Sequence, residues 1–417
     1  MSFFQKYFDY IIIFILIYTS RETVLFGTNA NTAITFLGYI APVFVLLILT
    51  LRKGRYKANR YNKRTYDTAI IIIFLILMTM LANLDINVKY GYEVVLCLTA
   101  YNLVNQIEFE RFAKVYNDIL LSLSLFAVIT TLAYIFYPGY VRAFPAITNK
   151  GNYDFYFLGL CVIPGEISGV LFRLFGIFRE PGVAIIFINI SLLFELFVLN
   201  RKKLFRVLLL VLTVGLSLST AGFIITFFIL MTYLLKAHKK HAIVSFFFLG
   251  LVLASTYFIL QNDFIYAALF NKFSTTESAS TGARFGSITN NIKLILDNPL
   301  GMFWGLGYHY VESFFEGLES AARGQGHNTN TLLKELSVHG FFFFLYFVVK
   351  LYNFSKGIIW RRSWQTLFVF LAFVMMLSNE DLTVDFILYV IVMYSSIIGS
   401  KSYKQNVNSL NTAYVSQ

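Results

Sequence analysis

Residues 52–81 read RKGRYKANRYNKRTYDTAIIIIFLILMTML. A loop crowded with Arg52, Lys53, Arg55, Lys57, Arg60, Lys63 and Arg64 runs into a stretch, Ala69 to Leu81, that is apolar on nearly every face. Such a run has no side to offer water, so it is a membrane helix and not the amphipathic helix of a soluble domain. The basic block beside it sets the orientation, because short loops rich in Lys and Arg stay in the cytoplasm.

The rest of the chain repeats this alternation. Of 417 residues, 58% are hydrophobic, 18% aromatic and 13% charged, which leaves too little polar surface to cover a soluble protein. A β-barrel is disfavoured, because barrel strands alternate apolar and polar residues over short segments, whereas Ala69 to Leu81 and Ile243 to Leu260 do not alternate. The formal charge of +12 would suggest nucleic acid in a soluble chain. Here the basic residues gather in short loops, so the charge is a topology signal and no nucleic-acid partner is expected.

About twelve segments are apolar enough to cross a bilayer, near 7–25, 32–51, 66–83, 91–107, 119–137, 182–199, 204–219, 221–236, 242–260, 339–354, 363–379 and 382–399. Alternating from the 52–64 loop puts Arg111 and Lys114, Arg201 to Arg206, Lys236 to Lys240, and Lys356 to Arg362 on one side. Both termini are then cytoplasmic. Two segments on the other side, 138–181 and 261–338, are too long for simple connectors. The expected division is 1–260 (helices 1–9 with the 138–181 loop), an extracytoplasmic cap at 261–338, and 339–417 (helices 10–12 and a cytoplasmic tail). Within the cap, Arg284 to Asp297 and Tyr308 to Ala322 read as amphipathic helices. Cys97 and Cys161 fall in a helix and an outer loop, so neither a disulfide framework nor a metal-site spacing is expected.

Arginines left on the outer side are not explained by topology, which singles out Arg173, Arg179, Arg284 and Arg323. Arg179 lies in Phe178-Arg179-Glu180-Pro181-Gly182, where Pro181 suits a first helical turn and free amides face an anion. The competing reading pairs Arg179 with Glu180. Arg284 begins a helix; taken alone it reads as a surface arginine, and its planar fork is also of the kind that grips a diphosphate. His327, in Gly324-Gln325-Gly326-His327-Asn328, is a candidate base or phosphate partner. His309 and His339 have no comparable polar company and read as packing residues, and three scattered histidines do not make a zinc site. Glu380, Asp381 and Asp385 near the ends of helices 11 and 12 read mainly as charge balance for the arginines. Walker, nucleophile-elbow and dinucleotide motifs are absent.

The order of these features resembles the O-antigen polymerase and ligase superfamily. The resemblance rests on Arg173-Leu174-Phe175-Gly176-Ile177-Phe178-Arg179-Glu180-Pro181-Gly182, then Gly282-Ala283-Arg284-Phe285, Asp297-Asn298-Pro299-Leu300-Gly301 with Gly305-Leu306-Gly307, Gly326-His327-Asn328, and Glu335-Leu336-Ser337-Val338-His339-Gly340-Phe341. Within the superfamily, Arg-Glu-Pro-Gly is more like the Wzy-type polymerases than the ligases. The resemblance implies an all-α polytopic protein of the bacterial inner membrane, with C-type glycosyltransferase-like architecture. It further implies a metal-independent glycosyltransferase that needs no cofactor and joins undecaprenyl-diphosphate-linked oligosaccharides into O-antigen or capsular polysaccharide, in lipopolysaccharide biosynthesis or its capsular counterpart. A chain-length regulator is an expected partner beside the lipid-linked glycan and membrane lipid. By this reading Arg179, Arg284, Arg173 and Arg323 bind diphosphate, and His327 or Glu180 takes the acceptor proton. Two alternatives are a ligase transferring polymer to the lipid A core and a flippase for the same lipid-linked sugar, which would need more midplane charge than Glu195 supplies.

Overall fold

The computed structural model describes residues 3–52, 62–150, 153–165, 173–199, 203–236, 279–321, 328–359 and 363–398. The basic stretch 53–61, the expected ninth helix at 242–260, Arg323 and His327 lie outside these residues.

Helices occupy the other expected segments. They are α1 (Phe3–Tyr18), α2 (Thr32–Arg52), α3 (Asn62–Asn83), α4 (Val88–Gln106) and α5 (Phe109–Phe136), followed by the short α6 (Pro138–Arg142). Next come α7 (Pro181–Leu193, continued as one π turn over Phe194–Leu199), α8 (Leu204–Ser217) and α9 (Thr220–Lys236). The chain closes with α10 (Ala279–Asp297), α11 (Gly301–Trp304), α12 (Gly307–Ala321), α13 (Thr331–Ile359), α14 (Ser363–Asn379) and α15 (Phe386–Ile398). Among the described residues, five helices are long and apolar enough to cross a membrane: Thr32–Arg52, Lys63–Asn83, Phe109–Phe136, Pro181–Leu199 and Thr331–Ile359. The architecture is that of a helical membrane protein.

Burial ranks the helices. In Pro181–Leu199, 89% of the apolar window is inside the bundle, against 28% in Thr32–Arg52, so α7 is central and α2 peripheral. α15 is central too, with Phe386, Tyr389, Val392 and Ile398 all buried. The outer faces of α2 and α3 present Phe36, Phe44, Leu51, Phe74 and Leu81, a surface suited to lipid and costly in water.

Three departures from expectation shape the site. First, α1 stops at Tyr18 and not near residue 25. Thr19 and Ser20 turn polar groups back on the chain, with Thr19 Oγ1 donating to Ile15 O and Glu22 N–H donating to Ser20 Oγ. Secondly, the 138–181 loop carries a small antiparallel sheet, with β1 (Ala146–Thr148) paired to β2 (Asp154–Phe157) and β2 to β3 (Val162–Pro164). The register sets Ala146 opposite Tyr156 and Phe155 opposite Pro164. Val24, Phe155, Val162 and Phe175 make a second small core, which joins the 19–31 segment to the sheet and to the loop at 173–180 as a cap over this end of the bundle. Both cysteines are free and buried.

Thirdly, residues 331–338, expected in the cap loop, are the first turns of α13, which breaks at Gly340 (φ 82°, ψ −178°). The break receives the turn after α11. A Cβ on Gly340 would lie 2.3 Å from Gly305 N, and one on Gly305, itself at φ 80°, would lie 2.0 Å from Val338 O. Backbone meets backbone there, and Leu306 N–H donates to Ser337 O at 2.8 Å. Only glycine permits that approach at positive φ.

Candidate functional site

α7 begins where the loop 173–180 returns from the cap. Pro181 occupies its first turn, and Glu180 at the N-cap makes no side-chain capping bond. The position left for an anion is taken by a carboxylate from the α14–α15 connection: a Cβ on Gly182 would lie 2.0 Å from Glu380 Oε1. Gly182 is therefore what lets Glu380 lie against the helix start.

Around Glu380 the expected arginines gather. Arg284 Nη2 donates to Glu380 Oε1 at 3.3 Å, and Asn379 Nδ2 lies 3.4 Å from the same oxygen. Arg179 Nε donates to Glu22 Oε2 at 2.6 Å and its Nη1 to Glu180 Oε1 at 3.0 Å. The backbone agrees, with Arg179 N–H donating to Glu22 O at 2.9 Å. Arg173 Nη2 donates to Leu218 O at 2.8 Å and ties the loop to the α8–α9 turn.

The charges are strongly interdependent. Burial pushes the Glu380 carboxyl up, as does Glu180; Arg179 and Arg284 pull it down, and the balance is about 8. Arg179 resists burial because Glu22, Glu180 and Glu380 hold its guanidinium above the ordinary value. Arg173 is lowered by burial and by the neighbouring Arg284. Two further groups flank the centre. Burial would raise Asp381, but Lys334, 2.7 Å away, and Arg21 hold it well below the usual carboxylate range. Asp385, which accepts from Ser20 Oγ at 2.5 Å, is pushed by burial to about 7.

The structure thus brings Arg173, Arg179, Glu180 and Arg284 to one place. His327 and Arg323 fall outside the described residues. The adjoining Asn328 accepts from Ser287 Oγ at 2.8 Å, one turn along α10 from Arg284. Of the three acids expected to balance the arginines, Glu380 pairs with Arg284, Asp381 with Lys334, and Asp385 accepts from Ser20 Oγ; the Arg179–Glu180 pair is also formed. Reading helix 1 through residue 25 hid Arg21 and Glu22; the polar run Thr19-Ser20-Arg21-Glu22-Thr23 was the signal. His339 corrects its own reading as well. It is 2% exposed and has polar company, Glu93 from α4 and Glu335 from its own helix. His309, by contrast, is exposed.

A buried acid paired with one arginine and within the field of a second from a distant segment, at one end of an apolar bundle, suits the recognition of an anionic group at a membrane surface. Comparison with protein-family models, curated proteins and solved structures finds no match for this chain.

Proposed function

We propose that the protein is a Wzy-type polymerase, which joins undecaprenyl-diphosphate-linked oligosaccharide repeat units into O-antigen or capsular polysaccharide at the outer face of the bacterial inner membrane. In this reading the bundle has twelve spans, C-type glycosyltransferase-like architecture and cytoplasmic termini. The observation that carries the proposal is the meeting of Arg179 and Arg284 around Glu380. Their sequence segments are far apart, and both were singled out because positive-inside topology leaves them unexplained. Supporting the orientation, Arg52 and Arg111 pair with Asp9, and Arg206 with Asp118, at the opposite end of the bundle.

The acceptor hydroxyl oxygen attacks the anomeric carbon of the donor glycan and forms the new glycosidic bond. The bond from that carbon to the phosphate oxygen breaks, and undecaprenyl diphosphate leaves with the electron pair. Arg179 and Arg284 stabilise the charge that develops on the diphosphate, with Arg173 supporting them from the loop. The hydroxyl proton passes to Glu180, whose side chain is 49% exposed beside Arg179, or to His327. Glu380 sets how much of the arginines' charge is available: protonated, it leaves them to the diphosphate; ionised, it competes.

The decisive experiment incubates purified full-length protein with lipid-linked repeat units and sizes the products. Wild type should give a ladder of polymers and Arg284→Ala none, with unchanged expression. A normal ladder from Arg284→Ala sinks the proposal. In cells, loss of a polymerase leaves lipopolysaccharide with a single repeat unit, whereas loss of a ligase leaves none.

A further inference from the structure

Beneath the charged cap, a second polar group is sealed inside the bundle. Glu93 projects from the second turn of α4, and Glu335 and His339 project from one face of α13 at i and i+4. At 1.5 Å per residue, Glu93 and His339 lie roughly 8–12 Å below the starts of their helices, so loop solvent does not reach them. All three side chains are at most 2% exposed. Their ligand atoms lie within 4.8 Å of one another.

The hydrogen bonding of this group does not close. His339 Nε2 stands 3.2 Å from Glu93 Oε1 and 3.6 Å from Glu335 Oε2. One ring N–H can serve only one of these carboxylates. Glu335 Oε2 and His339 Nδ1 are buried without a hydrogen-bond partner, whereas Glu93 has the hydroxyls of Tyr308 and Tyr389 beside it. The nearest lysine does not help, since Lys334 turns to Asp381 at 2.7 Å. Two ionised carboxylates so close in an apolar surround would cost several kcal/mol for each unpaired charge, so the pair takes up either a proton or a cation.

We propose that Glu93, Glu335 and His339 bind a divalent cation of the Zn²⁺ class. Metal–ligand bonds of about 2.0–2.2 Å in a tetrahedron place neighbouring ligand atoms roughly 3.3–3.6 Å apart. His339 Nε2 stands close to that spacing from the two carboxylate oxygens, at 3.2 and 3.6 Å, and the three ligand atoms lie within 4.8 Å of one another, near enough for one ion to draw in. One imidazole and two carboxylates neutralise the ion, which suits a low-dielectric interior. The surround has the form of an orienting shell. Tyr308 Oη donates to Glu93 Oε1 at 2.6 Å, and the His339 ring stacks on Phe343 with centroids 4.4 Å apart. Counting histidines in the sequence could not find this site, because two of its ligands are glutamates in different helices. The ion ties α4 to α13 directly below the Lys334–Asp381 pair; glycosyl transfer remains with the arginines, so this inference does not depend on the polymerase reading.

The test uses purified full-length protein in detergent, incubated with Zn²⁺, dialysed and analysed for bound metal, and in parallel titrated with Co²⁺. Wild type should retain one Zn²⁺ per chain. It should also show visible Co²⁺ d–d bands of the intensity given by three protein ligands, one nitrogen and two oxygens, with a water at the fourth position. Glu335→Gln and His339→Gln should lose both signals while keeping wild-type helicity by circular dichroism. Folded wild type that retains no Zn²⁺ and gives no Co²⁺ bands overturns the proposal, and so does a folded His339→Gln protein with an unchanged Co²⁺ spectrum. The wild-type arms need no variant to fold, and polymer formation is not among the readouts.

Discussion

Glu380 touches Arg284 and feels the charge of Arg179, the two arginines that would hold the donor, and its titration therefore sets a pH dependence that can be worked out in advance. With a pKa of about 8, about a tenth of the carboxyl is ionised near pH 7 and about nine tenths near pH 9. The protonated fraction, which leaves Arg179 and Arg284 to the diphosphate, falls about tenfold over that interval. Initial rates of polymer formation at subsaturating donor should fall by the same factor, and saturating donor should recover part of the loss. Glu380→Gln fixes the neutral form, so it should stay active and have a flat alkaline limb. The assay is product sizing by gel over a pH series with purified protein. A wild-type rate that climbs through pH 8, together with an inactive Glu380→Gln, would make Glu380 the proton acceptor and refute the reasoning. Stability carries the same sign. The folded pKa is above the ordinary 4.5, so the contribution is complete at acid pH and is lost as pH rises through about 8. Asp385, raised from 3.8 to about 7, adds a slope of its own, so the melting temperature of Glu380→Gln should still decline with pH, less steeply than wild type.

Three other substitutions probe separate contacts. Gly182→Ala places a methyl 2.0 Å from Glu380 Oε1 and should cost about 1–3 kcal/mol in detergent unfolding, with polymer yield falling as Glu380 is displaced; wild-type stability would show that the carboxylate does not need that position. Gly340→Ala combines φ +82° with a Cβ 2.3 Å from Gly305 N, where backbone cannot yield, and should lower stability by about 3 kcal/mol or more; an unshifted melt contradicts the close approach. Arg284→Lys keeps the charge and loses the planar fork, so the KM for lipid-linked donor should rise about tenfold with kcat less affected; equal activity would remove bidentate binding from the account.

The bundle was readable because its signals are local. A run such as Ala69 to Leu81 needs no partner to declare itself, and basic loops mark helix ends without reference to anything distant. The same locality found Arg173, Arg179 and Arg284, each of which violates the loop rule on its own. What stayed hidden depends on pairing across the fold. Glu93 sits in an ordinary apolar helix, and only the approach of α13 gives it Glu335 and His339. Glu22 looked like the end of a span until Arg179 reached it from a segment 157 residues away. The β1–β3 sheet escaped because strands of three or four residues leave no usable alternation.

The glycine contact between the α11 turn and the α13 break has a mechanical consequence for Arg284. It fixes the bundle side of the segment at Gly305 and Gly340, while Arg284 lies toward the far end of α10, about 20 Å along the helix from Asp297 by its rise per residue. α10 is held near its base by the glycines and again midway, where Asn291 Oδ1 accepts from Ser337 Oγ at 2.8 Å and Ser287 Oγ donates to Asn328 Oδ1 at 2.8 Å. The 3.3 Å contact of Arg284 with Glu380 is therefore set by backbone that bears no side chain, at the other end of the same helix.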